Sequence, residues 1–112
     1  MATFPNIEHI KGDTFKQMPF QINVNGTALN LTDCVIRMQL KRAYDDVPRL
    51  TLSSVNNNGI TITNASAGQF KINEQIIDIK AFNYLYDIEI NNDGVVNTWV
   101  SGEFLIKPNV TE

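Results

Sequence analysis

Cysteine is nearly absent from this sequence of 112 residues, in which Cys34 is the single example. One thiol cannot form an internal disulfide, and it is too little for a zinc site built from paired cysteines. Histidine is equally scarce, because His9 is the only imidazole available to a hydrolytic triad. We therefore expect packing to stabilise the protein, and we expect no metal site, no cofactor and no enzymatic activity.

Long apolar runs and an excess of positive charge are also lacking. Residues 1–10 contain no apolar stretch of the length that a signal peptide or a spanning helix requires, so we expect neither export by that route nor a membrane partner. Nine basic and twelve acidic residues give a net charge of −3. Because no overall positive field draws the chain onto phosphate backbones, nucleic acid is not an expected partner.

Alternation of apolar and polar residues is the dominant pattern along the chain. It is clearest in residues 84–90, where Tyr84, Tyr86, Ile88 and Ile90 share one face. Residues 35–41 show the same period, and Asn-Gly or Asp-Gly pairs at 25–26 and 93–94 favour tight hairpin turns. The sequence therefore predicts an all-β protein.

Many short strands separated by regular turn signals are typical of a β-sandwich. We predict an immunoglobulin-like β-sandwich of about seven or eight strands, in a single domain that covers residues 1–112. Residues 1–10 form either a mobile arm or an edge strand in this interpretation. Residues 73–82 are ambiguous, because Asn73 suits a helix cap while Ile77 and Ile79 alternate as in a strand. We favour one or two helical turns there.

The residues that suggest chemistry have simpler structural interpretations. Cys34 adjoins apolar residues and is expected to be a small core filler. Asp87 and Glu89 share one strand face, where cross-strand pairing with Arg37, Lys41 or Lys71 is favoured over the acid/base work of a hydrolase.

Two aromatic residues are the better candidates for a binding surface. Trp99 shares the strand face that looks more polar with Asn97 and Ser101. Contact with a partner protein and partial burial under a loop are therefore the two alternatives for Trp99. Tyr44 lies in the polar connection 42–49, next to an acidic pair. The candidate interface residues are Trp99, Tyr44, Asp45 and Asp46.

The order of the strand and turn motifs carries a family resemblance over about residues 11–111. These motifs resemble those of small immunoglobulin-like modules in bacteriophage tail and baseplate proteins, such as the N-terminal domain of baseplate upper proteins. The residues that carry the resemblance are 12–15, 29–33, 35–41, 50–52, 59–62, 84–90 and 102–111.

The resemblance implies a structural role in a virion, in a tail, a baseplate or an adaptor module. The expected partners are then other virion proteins, including copies of the same chain, met through the candidate residues and one sheet edge. The expected location is the virion, after synthesis in the bacterial host cytoplasm. Two alternatives stay open: a head or capsid decoration protein, and a carbohydrate-binding sandwich that recognises host-surface glycans through Trp99 and tyrosines.

Overall fold

The alternating segments of the sequence form strands in the computed structural model, which describes residues 2–3 and 6–110. Short 3-10 helices occur at Val55–Asn57 and Ala65–Ala67. The strands in the described residues are β1 (Ala2–Thr3), β2 (Ile7–Ile10), β3 (Thr14–Phe15), β4 (Met18–Gln21), β5 (Asn23–Val24), β6 (Thr27–Ala28), β7 (Cys34–Lys41), β8 (Pro48–Ser53), β9 (Ile60–Asn64), β10 (Gln69–Ile72), β11 (Gln75–Ile76), β12 (Phe82–Asn92) and β13 (Val95–Lys107). Neither helix is long or apolar enough to cross a membrane.

Two sheets with the strand order of an immunoglobulin sandwich contain most of these strands, and β3–β11 and β5–β6 form two further strand pairs. The larger has the order β1-β13-β12-β7-β8, with β2 also paired to β13, and the smaller has the order β4-β10-β9. Strands β4, β10 and β9 correspond to B, E and D of that fold, and β13, β12, β7 and β8 correspond to G, F, C and C′. Strands β1 and β2 run parallel to β13, and the other pairs are antiparallel. The predicted all-β sandwich is confirmed.

One hydrophobic core lies between the two sheets. The inner faces of β7 and β12 contribute Ile36, Met38, Tyr84 and Ile88, which are at most 1% exposed. From the smaller sheet, Phe20 stacks on Phe70 with ring centroids 5.2 Å apart, and both rings belong to the same buried cluster. Each fully buried side chain of this size contributes roughly 1.5–3 kcal/mol to stability. Packing of this kind replaces the disulfide that the sequence cannot form.

A tyrosine corner closes the sandwich at the start of β12. The Tyr84 hydroxyl donates to the backbone carbonyl of Lys80, four residues upstream. In immunoglobulin domains a tyrosine with this bond stands two residues before the second cysteine. Tyr86 occupies that second position here, and its buried hydroxyl has no hydrogen-bond partner among the described residues. The Tyr86 ring instead lies over Gly102 on the neighbouring strand, where an added Cβ would be 3.0 Å from Tyr86 Cε1.

The prediction of helical turns in residues 73–82 is wrong. Gln75 and Ile76 form β11, which pairs with β3, and the chain continues without regular structure to the start of β12. Ile77 is 2% exposed, and its carbonyl accepts a hydrogen bond from the backbone N–H of Gly12. Pairing with a distant segment and burial of Ile77 thus override the weak local preference for helix.

Replacement by phenylalanine is expected to have different effects on stability at the two tyrosines of β12. Tyr84→Phe leaves the carbonyl of Lys80 without its donor and should lower the free energy of unfolding by about 1–2 kcal/mol. Tyr86→Phe removes a hydroxyl that bonds to no described residue, and it should be neutral or stabilising. Urea denaturation of both variants measures the difference, and equal losses would contradict the assignment of the hydrogen bond to Tyr84 alone.

Gly102→Ala tests the close approach of β13 to the Tyr86 ring. The added methyl group overpacks the core and should cost about 1–3 kcal/mol of unfolding free energy. In a Tyr86→Leu background, which lacks the ring atoms that the methyl group meets, the same substitution should cost markedly less. A double-mutant cycle by urea denaturation measures this coupling, and strict additivity would show that the ring is not the obstacle.

Candidate functional site

The loop between β7 and β8 presents the predicted candidates Tyr44, Asp45 and Asp46. Tyr44 is 86% exposed. Asp46 organises the loop, because its Oδ1 accepts from the backbone N–H of Val47 at 2.8 Å and its Oδ2 accepts from Arg49 at 3.1 Å. These two hydrogen bonds hold the pKa of the Asp46 carboxyl below its usual range. Asp46 therefore shapes the loop, while Tyr44 and Asp45 project into solvent.

Trp99 does not lie on the polar face that its alternation suggested. Ile88 pairs with Val100 and Glu89 pairs with Thr98, so Trp99 is an extra residue in a β-bulge. The bulge reverses the faces of the residues before it, which places Asn97 opposite the buried Ile90.

Trp99 is consequently half-buried and packs against the core, which is the alternative of partial burial. It lines an inward recess of about 220 Å³ together with Leu29, Cys34 and Ile90. Tyr44 lines a different recess, so the structure does not bring the two predicted aromatic residues together.

The Tyr44 recess is a groove of about 320 Å³ on the outer face of the larger sheet. Strand register builds its floor, because Asp87 on β12 lies between Gln39 on β7 and Ser101 on β13. Leu85, two residues earlier on β12, lies in the same way between Lys41 and Glu103. Tyr44 and Asn6 also line the groove, from the β7–β8 loop and from the segment before β2.

The surroundings of Asp87 shift the pKa of its carboxyl. Burial raises its pKa above the usual range, and the charge of Glu89 raises it further, while Lys41 and Arg37 act in the opposite direction. Glu89 has its own partner, since its Oε1 is 2.8 Å from Arg37 Nη2. The expected pairing with Arg37 therefore holds for Glu89, and Asp87 makes no ion pair within the described part of the chain.

Sequence reasoning missed Gln39, Ser101 and Leu85 as neighbours of Asp87. Each is an ordinary member of an alternating strand, and no local motif marks it. Only the register of three strands places these side chains in one groove. The available signal was Asp87 itself, as an acidic residue in the middle of the most apolar predicted strand.

The other residues with reactive side chains, Cys34 and His9, take part in packing and backbone contacts. Cys34 is 8% exposed, as expected of a core filler, and burial together with Asp33 raises the pKa of its thiol. His9 packs edge-on against Phe15, and its Nε2 is 2.9 Å from the carbonyl of Asp13. Within residues 6–110, no three His, Cys, Asp or Glu side chains lie close enough to hold a metal ion.

The sheet edges carry features that oppose pairing with a neighbouring strand. Edge strand β4 contains Pro19, and β8 begins with Pro48 and Arg49. In β9 the register skips Thr63, which creates a bulge. Prolines, charges and bulges are the usual protections of exposed edges. These three edges are thus poorly suited to pairing with a strand of another chain.

Comparisons with known proteins return no match: no family model, no curated protein and no solved structure matches this chain.

Asp87→Asn is expected to make stability depend less on pH. A folded-state pKa above the unfolded value means that the native state prefers protonated Asp87, so its contribution favours folding at low pH and is lost as the pH rises through the folded pKa. The variant should therefore be more stable than the parent at pH 7, and the gain should vanish below about pH 4. Thermal unfolding between pH 3 and pH 7 measures this.

Asp45→Asn is the matched control, because Asp45 is exposed in the β7–β8 loop. It should change stability by no more than about 0.5 kcal/mol at either pH. A stability gain of Asp87→Asn that was the same at pH 3 and pH 7 would contradict the electrostatic explanation.

Proposed function

We propose that this chain is a non-enzymatic structural component of a bacteriophage virion, a tail, baseplate or adaptor module that acts through protein–protein contacts. The observation that carries the proposal is the agreement between the motif order and the strand order. Segments that resemble phage modules, at 35–41, 50–52, 59–62, 84–90 and 102–111, fall largely on β7, β8, β9, β12 and β13. These are the strands that build the immunoglobulin-like framework.

An apolar patch at the β12–β13 hairpin offers a surface for such contacts. On the outer face, Val35 and Val96 both lie opposite Asn91, and they are 39% and 51% exposed. Val95 is 61% exposed as well, on the opposite face of the same hairpin. Neighbouring exposed aliphatic side chains such as Val35 and Val96 are typical of protein contact surfaces. We assign the principal assembly contact to this hairpin end, with Tyr44 and Asp45 on the β7–β8 loop as a second contact.

Symmetric assembly makes small contacts of this kind sufficient. A virion component present in many copies gains avidity, because each further contact forms within an assembly that already holds the chain. Closed rings also repeat one pair of complementary surfaces, either between copies of the same chain or with other virion proteins. The protein would then act as a rigid spacer in the particle, with stability supplied by its core.

Mass spectrometry of purified phage particles tests the proposed location. We expect peptides of this chain in intact virions, at a fixed ratio to the major structural proteins. Immunogold labelling then distinguishes a tail or baseplate position from decoration of the head. Absence of the chain from every virion fraction would overturn the proposal.

Val96→Asp tests the hairpin contact. The added charge must be desolvated when the patch is covered, so incorporation into particles should fall at least tenfold while folding is retained. Val55→Asp is the matched control, because Val55 is also 51% exposed but lies in the 3-10 helix before β9. Quantitative immunoblotting of particles measures incorporation, and equal effects of both variants would exclude a specific role for the hairpin.

A further inference from the structure

The outer-face groove presents a row of polar groups in an order set by the sheet. The amide of Gln39, the carboxylate of Asp87 and the hydroxyl of Ser101 lie on three neighbouring strands at the same register level. Strand spacing of about 4.8 Å makes the row roughly 10 Å long. The next level, formed by Lys41, Leu85 and Glu103, places an aliphatic side chain on the floor.

The hydrogen-bonding capacity of this row is unused within the described residues. The side chains of Gln39, Asp87, Ser101 and Tyr44 make no hydrogen bond to any of them. Neighbouring polar groups on the same face differ, because Arg37 bonds Glu89 and the carboxylate of Glu103 accepts from Asn83. Half-buried donors and acceptors without partners are the groups that gain most from a polar ligand.

The charges of the groove favour a neutral ligand. Lys41 opposes a cation, while Asp87 and Glu103 oppose an anion. Leu85 on the floor and the exposed ring of Tyr44 supply apolar surface beside the polar row. A ligand that matches both features carries several hydroxyl groups and one apolar face, which is the chemistry of a pyranose ring.

We propose that the groove between Tyr44 and the Gln39–Asp87–Ser101 row binds a neutral saccharide. Asp87 and Gln39 accept hydrogen bonds from its hydroxyl groups, Ser101 and the Gln39 amide donate to its oxygens, and Tyr44 packs against the apolar face of the ring. A volume of about 320 Å³ lies at the lower end of ligand sites and accommodates one or two sugar units of a longer chain. The site is separate from Trp99 and does not depend on the proposed virion role.

The raised pKa of Asp87 agrees with this assignment. Burial and the charge of Glu89 raise this pKa against the opposing charges of Lys41 and Arg37, so the free protein holds the carboxylate at an energetic disadvantage. Hydroxyl donors from a bound sugar would stabilise the charged form, because hydrogen bonds to a carboxylate favour its ionised state.

A glycan array followed by NMR titration tests the proposal with the full chain. Fluorescently labelled protein is applied to an array of bacterial and mammalian oligosaccharides, and the strongest neutral glycan is titrated into ¹⁵N-labelled protein. We expect amide shifts confined to the groove, at the levels of Asp87 and Leu85 on β12 and their neighbours. Affinity for one or two sugar units should be on the order of a millimolar dissociation constant.

Two variants and two controls make the result specific. Tyr44→Ala and Asp87→Asn should each weaken binding of the selected glycan at least tenfold while leaving the fold intact. Val47→Ala, in the same loop, and Asp93→Asn, at the β12–β13 turn, should leave binding unchanged. A wild-type chain that retained no neutral glycan on the array would overturn the proposal.

Other outcomes would also overturn it, without touching the virion role. Shifts centred on the Trp99 recess would place the ligand elsewhere. Preference for charged glycans, undiminished by Asp87→Asn, would contradict the charge argument. Loss of virion incorporation by Tyr44→Ala, with a blank glycan array, would assign the groove to a partner protein instead.

Discussion

The central position of β12 is the constraint on which the rest of the structure depends. It is hydrogen-bonded to β7 on one side and to β13 on the other, so its register fixes both neighbours. Its inner side chains fill the core, and Leu85, Asp87 and Glu89 form the middle of the outer face. A slip of one residue would exchange these two sets. The packing that stabilises the sandwich therefore also fixes the floor of the groove.

Local patterns predicted the parts of the fold that depend on local causes. Alternation identified β7 and β12, because the buried face of a strand must be apolar at every second residue. The Asp93–Gly94 turn was predictable because a tight hairpin requires positive φ, which the pair Asp-Gly favours. Both residues have positive φ in the structure. The bulge at Trp99 was not predictable, because it arises from the pairing of β13 with β12 and leaves no mark in the alternation. The prediction of helical turns in residues 73–82 was wrong for a related reason, because β11 pairs with β3, which lies far away in sequence.

Of the residues that line the groove, only the exposed Tyr44 was predicted from the sequence as part of a binding surface. Tyr44 is an aromatic residue in a polar connection, so its exposure follows from the sequence. Gln39, Asp87 and Ser101 come from three separate strands, and each is an ordinary polar residue of an outer face. Their juxtaposition depends on long-range register, which single-sequence patterns do not contain. Trp99 shows the opposite case, because a residue of suggestive chemistry is itself the extra residue of a bulge and packs against the core.

The levels of the outer face explain how the proposed assembly contact and the proposed saccharide site can coexist on one sheet. From the hairpin end, the first level places Val35 and Val96 beside Asn91, and the next contains the Arg37–Glu89 ion pair. The level of Asp87 follows only beyond that pair. An exposed ion pair resists burial under an apolar partner, because both charges would have to lose water. It therefore limits the apolar contact to the hairpin end and keeps the groove open to solvent, where the unpaired carboxylate can still find a ligand.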